Sequence, residues 1–207
     1  MKDQKLNRLV KISMLSVIAF ILMFIEVATP FFPPFLKFDI SDLPALIGAF
    51  ALGPVAGVGI ELLKNILHGI FVGGSAFVGE LANFLVGAVM VYVSGYIYNK
   101  RKSRGSAVTS LIAGTLIMTV VASVLNYFVF LPLYEAVLHF PINAIVEMGN
   151  KINSSITDLN SFVVWAIAPF NLIKGILVSV LTMLVYKSVS PILHKEGEKE
   201  SNLVKNN

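Results

Sequence analysis

Ionisable and amide side chains recur at helical spacing in stretches of this sequence that are otherwise apolar. Glu61, Lys64, Asn65 and His68 stand at i, i+3, i+4 and i+7, which places them on one helix face. Glu80, Asn83 and Gly87 share a second face, and Thr115, Thr119, Ser123 and Asn126 a third. Asn171 and Lys174 share a fourth, just after Pro169. Upstream of the first face, FLKFDISDLPALIGAFALGP adds Lys37, Asp39 and Asp42. A carboxylate three residues from an ammonium can neutralise it, and a carboxamide offers a donor and an acceptor together. A charge near a bilayer centre costs at least ~2.5–3.5 kcal/mol even on the lenient insertion scale. These groups therefore need one another, water or a ligand. Ser and Thr commonly join helices in membranes, and Thr115 and Thr119 read that way. Lys174 is a costly group to bury for packing alone. With no acid near it in sequence, Lys174 reads with Asn171 as a pair that a ligand completes. His68 lies close to a helix end and reads as a solvated interfacial side chain.

Other chemistries find little support. The three histidines, His68, His139 and His194, are scattered, and there is no cysteine. No metal site and no disulfide framework is expected. No nucleophile, base and acid stand in a recognisable arrangement, and no phosphate loop of the G-x-x-x-x-G-K-[ST] type occurs. Active uptake of a solute by such a chain would need an ion couple or a separate motor.

The elements that carry these faces are membrane helices. The chain of 207 residues is 56% hydrophobic and 14% charged, against roughly 25% charge in an ordinary soluble domain. The runs Leu9–Ala28, Ala76–Tyr98, Ala107–Leu131 and Phe162–Val189 reach the ~20 residues that a spanning helix needs. One integral membrane domain over residues 1–207 is expected, all-α, with a tail that becomes flexible from about residue 192. The net charge of +4 reflects topology, and no nucleic acid partner is expected. Basic residues cluster at Lys2–Lys11, at Lys100–Arg104 and in the tail with Lys187, Lys195 and Lys199. The positive-inside rule puts all three clusters in the cytoplasm, so an even number of spans separates them. Splitting the block Leu43–Phe71 at Gly53-Pro54, where a pre-proline residue leaves the helical region, satisfies that parity. The short piece before the split is about 15 Å long at 1.5 Å per residue, and such broken helices line cavities. The expectation is six transmembrane helices with both termini cytoplasmic. The external connections are then Pro30–Asp42, Val72–Ser75 and Pro132–Ile156, the last with short interfacial helices over Glu135–Phe140 and Ile142–Met148.

The segments FLKFDISDLPALIGAFALGP, GIELLKNILH and A-P-F-N-x-x-K, in this order within six spans, resemble the riboflavin-binding S components of energy-coupling-factor (ECF) vitamin transporters. The likeness runs over almost the whole chain. It implies a multi-pass protein of the cell membrane that takes riboflavin from outside as substrate, with no cofactor. It also implies docking on an ECF transmembrane coupling subunit driven by two ATPase subunits, with toppling in the bilayer releasing the vitamin inside. Carried over, the resemblance makes Asn126, Asn171 and Lys174 the polar readers of the flavin and Glu80 an acceptor for its polyol. It makes Leu36, Lys37, Phe38 and Asp39 the cover, with Phe35 and Phe38 packed on the ring. The coupling-subunit contact of the family uses an Ala-x-x-x-Ala surface on the first helix. Ser13 and Val17 stand at those positions, Ser16 is also small, and Val17 departs from the pattern. The other readings are an S component for thiamine or biotin, and an integral membrane enzyme using Glu61, Lys64 and His68 on a lipid or isoprenoid substrate.

Overall fold

A computed structural model describes residues 2–73 and 76–205, with side chains described for 5–73, 76–186 and 188. Helix α1 spans Lys2–Met23. It stops five residues short of the predicted end of the first span, because Val27–Ala28 (β1) turns into a hairpin with Lys37–Phe38 (β2). The two strands are antiparallel, with Val27 opposite Phe38 and Ala28 opposite Lys37. This hairpin is the one departure from an all-helical chain among the described residues, and its prolines and aromatics gave no alternating pattern to read.

Helix α2 is Asp42–Leu52 and α3 is Pro54–Phe71. The break falls at Gly53, as the sequence indicated. Gly53 has φ of +100°, a conformation that side-chain-bearing residues avoid, and Pro54 then opens α3 at a position where its missing N–H costs nothing. Two donors reach the end of α2 from elsewhere. Asn99 Nδ2 donates to the Ala49 carbonyl at 3.1 Å, and Arg8 donates to the Leu52 carbonyl at 2.9 Å. The Ala49 carbonyl, which already takes the Gly53 N–H, and the Leu52 carbonyl at the helix end thus each gain a side-chain donor.

Helices α4 (Val78–Lys100) and α5 (Arg104–Leu125) flank the basic loop. Past α5 the helical backbone widens into a π-helical turn, Asn126–Phe130, and then continues as α6, Leu131–Leu138. Pro132, expected at the start of an external connection, lies in the first turn of α6. The wider turn absorbs the hydrogen bond that a proline cannot donate. The same device recurs later: α8 (Leu159–Phe162), a π-helical turn at Val163–Ile167, then α9 (Ala168–Lys205), with Pro169 two residues past the turn. Between them α7, Ile142–Ile152, lies where an interfacial helix was expected. Asp158 caps α8 by accepting from the Ser161 N–H while Ser161 Oγ accepts from the Asp158 N–H. That backbone bond from Ser161 holds the Asp158 carboxyl below its ordinary value.

The helices pack as a bundle around α2, which touches α1, α3, α4 and α9. Ala45, Leu46, Ala49 and Phe50 of α2 are buried with Ile60, Met90, Val91 and Tyr98 in the main core. A second core gathers Leu131, Ile145, Ile156, Phe162 and Ile167 above the first, with Leu36 and Tyr134 against it. Many large apolar side chains remain outward, among them Leu62, Ile66, Leu116 and Val120, as expected of a surface facing lipid. Among the described residues four helices are long and apolar enough to cross a membrane: Lys5–Met23, Val78–Lys100, Arg104–Leu138 and Leu159–Tyr186. The backbone of α9 runs on beyond residue 192; the side chains of that tail lie outside the described residues.

Candidate functional site

Five buried charged residues, Asp39, Asp42, Glu61, Lys64 and Lys174, form one network with Ser41. Lys64 is 0% exposed, and its ammonium donates to Ser41 Oγ at 2.8 Å, to Glu61 Oε1 at 3.0 Å and to Asp42 Oδ1. Three donors are all that an ammonium has, so Lys64 is saturated. Asp42 opens α2, where a carboxylate meets the positive end of the helix dipole. Its second oxygen lies 3.4 Å from the Lys174 ammonium, which also donates to Asp39 Oδ2 at 2.8 Å. Asp39 in turn takes the Ser41 N–H at 2.9 Å and the Ser41 hydroxyl. Three carboxylates and two ammoniums from the α2 entry, α3 and α9 are thereby linked. Gly87 of α4 closes the cluster: a Cβ there would sit 2.8 Å from Glu61 Oε2.

This corrects one expectation. Lys174 has no acid near it in sequence, but the fold brings Asp39 to it across the molecule. Lys174 is compensated before any ligand arrives. His68 also differs from expectation. It is not a solvated interfacial group: its Nδ1 lies 3.0 Å from Glu80 Oε1 and its side chain is 12% exposed.

Above the network lies a cavity of about 550 Å³, within the usual range for small-molecule sites. Of the predicted substrate contacts, Leu36, Lys37, Asp39, Glu80, Asn126, Asn171 and Lys174 all line it. Phe38 does not. It packs behind the wall, its ring centroid 4.6 Å from that of Phe170 and 5.8 Å from that of Phe32. Phe35 is on the wall and stacks on Phe162 at 6.3 Å. Asn126 and Asn171 turn their Nδ2 groups back to the carbonyls of Ala122 and Ile167, at 2.8 and 2.9 Å. Among the described residues neither Oδ1 takes a further bond, so each carboxamide retains an acceptor. Asn126 opens one π-helical turn, and Asn171 follows the other by one helical turn. Such wide turns recur at functional sites.

Wall residues without a sequence signal of their own are Met118, Tyr134 and Phe170. Each reads as ordinary core or lipid-facing helix, and only the folded arrangement distinguishes them. Glu61 and Lys64, which an enzyme would need as an acid–base pair, are wholly enclosed and are not among the residues lining this cavity. Thr115 is glue as read: its Oγ1 meets Ser179 Oγ at 3.2 Å between α5 and α9. On α1, Ser13 and Val17 face outward one turn apart. Ser16 does not share that face. It is 2% exposed, and its hydroxyl donates to the Ile12 carbonyl inside the bundle. A direct docking contact by Ser16 is therefore corrected to an inward packing role.

Residues 7–186 match the family described as ECF transporter, substrate-specific component. The chain belongs to this family. It is 42% identical over 192 residues to a Staphylococcus aureus (strain TCH60) protein named riboflavin transporter RibU, covering 93% of this chain and 95% of the relative. It is 37% identical over 194 residues to riboflavin transporter FmnP of Bacillus subtilis (strain 168), covering 93% and 96%. A solved structure described as the S component of a bacterial ECF transporter superposes with a TM-score of 0.72 at 41% identity. It covers 91% of this chain and 98% of that one. Family membership and the apolar helices together make this a multi-pass membrane protein with the S-component fold. Its named relatives are transporters and not enzymes.

Breaking a buried ion pair by removing one partner costs about 3–5 kcal/mol, whereas an exposed pair is worth ~0–1 kcal/mol. Lys64→Met leaves Asp42 and Glu61 facing each other, and is expected to lower the thermal midpoint of the detergent-solubilised protein strongly. Lys151→Ala, which removes the exposed pair with Glu147, should leave it unchanged. Equal midpoints for the two variants would refute a structural role for the network.

Proposed function

We propose that this chain is the riboflavin-capturing subunit of an ECF-type importer in the cell membrane. The observation that carries the reading is the cavity itself: aromatic walls from Phe35, Tyr134 and Phe170, with carboxamides and a lysine projecting from two different helices. A flavin presents a flat apolar ring system with a uracil-like edge, and a polyol tail. Stacked aromatics suit the ring, and the free Oδ1 acceptors of Asn126 and Asn171 suit an N–H on its edge. The relatives named as riboflavin transporters, at 42% and 37% identity, support the same substrate. The hairpin residues Leu36, Lys37 and Asp39 cover the site, with Phe38 bracing the wall from behind.

In this reading the protein crosses the membrane six times. Helix α2 and helix α3 complete the four longer spans, and both termini and the Lys100–Arg104 loop face the cytoplasm. Energy comes from two ATPase subunits acting through a transmembrane coupling subunit. That subunit docks against α1 at Ser13 and Val17, where a small side chain permits close helix approach. Thiamine and biotin are the competing substrates.

Three outcomes test the proposal. Asn171→Ala should weaken riboflavin binding by about tenfold and Lys174→Ala by more, from the loss of one neutral or one charged hydrogen bond. Thr115→Ala should do much less. Isothermal titration of folded variants, with unlabelled thiamine and biotin as competitors, gives the ranking; parent-like binding by both Asn171→Ala and Lys174→Ala would remove these residues from the site. Ser13→Leu should block uptake by the full transporter while leaving riboflavin binding nearly intact, and normal uptake would place the docking surface elsewhere. Arg101→Cys, in a chain with no other cysteine, should stay unlabelled by an impermeant thiol reagent added outside intact cells. Labelling there would end the six-span topology.

A further inference from the structure

The riboflavin reading gives no task to His68, which lines the cavity beside Glu80. We propose that His68 is a positioning residue: it fixes the Glu80 carboxylate toward the hydroxyl groups of the ligand's tail, so preference for a hydroxylated flavin depends on it. The proposal rests on the riboflavin reading and extends it to specificity.

Geometry supplies the first support. His68 Nδ1 and Glu80 Oε1 are 3.0 Å apart, and the two side chains are 12% and 7% exposed. An ionised carboxylate accepts only, at about four lone-pair sites. The His68 N–H occupies one of these sites and orients the carboxylate, which lines the cavity. A glutamate held in place beforehand also loses less rotamer freedom when a ligand binds.

The surrounding fold holds this pair together. Gly69, next to His68, lets the Phe77 ring pack against α3: a Cβ there would sit 2.1 Å from Phe77 Cε1. Phe77 has φ of 65° and immediately precedes α4, which sets Glu80 in the first turn of that helix facing the last turn of α3. The Phe24 ring lies 6.1 Å from the imidazole. Glu26 and Lys37, which also line the cavity, pair with each other across the hairpin.

Position along the cavity gives the chemical class. Glu80 stands seven residues before Gly87, which abuts Glu61 and Asp42. At 1.5 Å per residue the two are about 10 Å apart along α4. The carboxylate is thus remote from the Lys174 end, where the ring edge is read, and suits the hydroxylated tail.

The test compares riboflavin with lumiflavin, which has the same ring system and a methyl group in place of the tail. Fluorescence-quenching titrations use the full chain in detergent as parent, His68→Leu, His68→Gln, Glu80→Gln and the double variant His68→Leu/Glu80→Gln. His68→Leu should weaken riboflavin by about tenfold and lumiflavin by less than about twofold, the pattern of one lost charge-assisted hydrogen bond at the tail. His68→Gln, which keeps a donor, should recover most of the loss. The double variant should bind riboflavin no more weakly than Glu80→Gln alone. Equal losses for the two flavins, no rescue by glutamine, or additive losses would each overturn the proposal while leaving the riboflavin reading intact. If His68→Leu does not fold, His68→Phe gives the same ratio. A parent that binds neither flavin would overturn the functional reading and this proposal together.

Discussion

Ion pairing inside an apolar bundle is the constraint on which this molecule depends. Lys64, Asp42, Glu61, Lys174 and Asp39 lie in a protein whose outer surface is apolar, and each is held by a charge of opposite sign. Each ammonium bridges different elements: Lys64 joins α3 to the start of α2, and Lys174 joins α9 to the segment entering α2. The short α2 sets a carboxylate at its first residue inside the bundle, beside Lys64 and Lys174, and ends at the Gly53 turn. A hydrophobic replacement of the whole cluster could be equally stable. What it would lose is the requirement that α2, α3 and α9 meet in one register, and with it the placement of Asp39 and Lys174 on the cavity wall.

The network also constrains the hairpin. Asp39 follows β2 directly, so its bond to Lys174 ties the end of the hairpin to α9 on the cavity wall. The apolar groove of about 350 Å³ on the other side of α4 has no such tether and shares only Glu80 with the predicted substrate contacts.

The sequence revealed more of the architecture than of the contacts. Helical spacing exposed the face Glu61–His68, and Gly53-Pro54 marked the break, because both signals are local. The partner of Lys174 was invisible, since Asp39 is far away in the chain and only folding brings them together. Ser16 was grouped with Ser13 by size, yet a rotation of about 60° around α1 is enough to put Ser16 inside the bundle and leave Ser13 outside; a three-residue offset on an apolar helix does not say where that edge falls. Met118, Tyr134 and Phe170 look like any other apolar residue. His68 was misjudged because the depth of a helix end depends on the loop that follows it, here the wrap of Phe77 over Gly69.

The two π-helical turns carry a consequence for how such chains can change over time. Each accommodates one residue more than an α-helical turn would, and a helix rotates about 100° per residue. Below each turn the helix faces are set by bundle packing; beyond it they are set by the cavity. Removing a single residue from 126–130 would restore a regular helix and swing α6, with Tyr134, about a quarter-turn away from the site, while every side chain kept its chemistry. Substitution is thus tolerated in these segments more readily than a change of length, and relatives aligned here should differ in residue type before they differ in residue number.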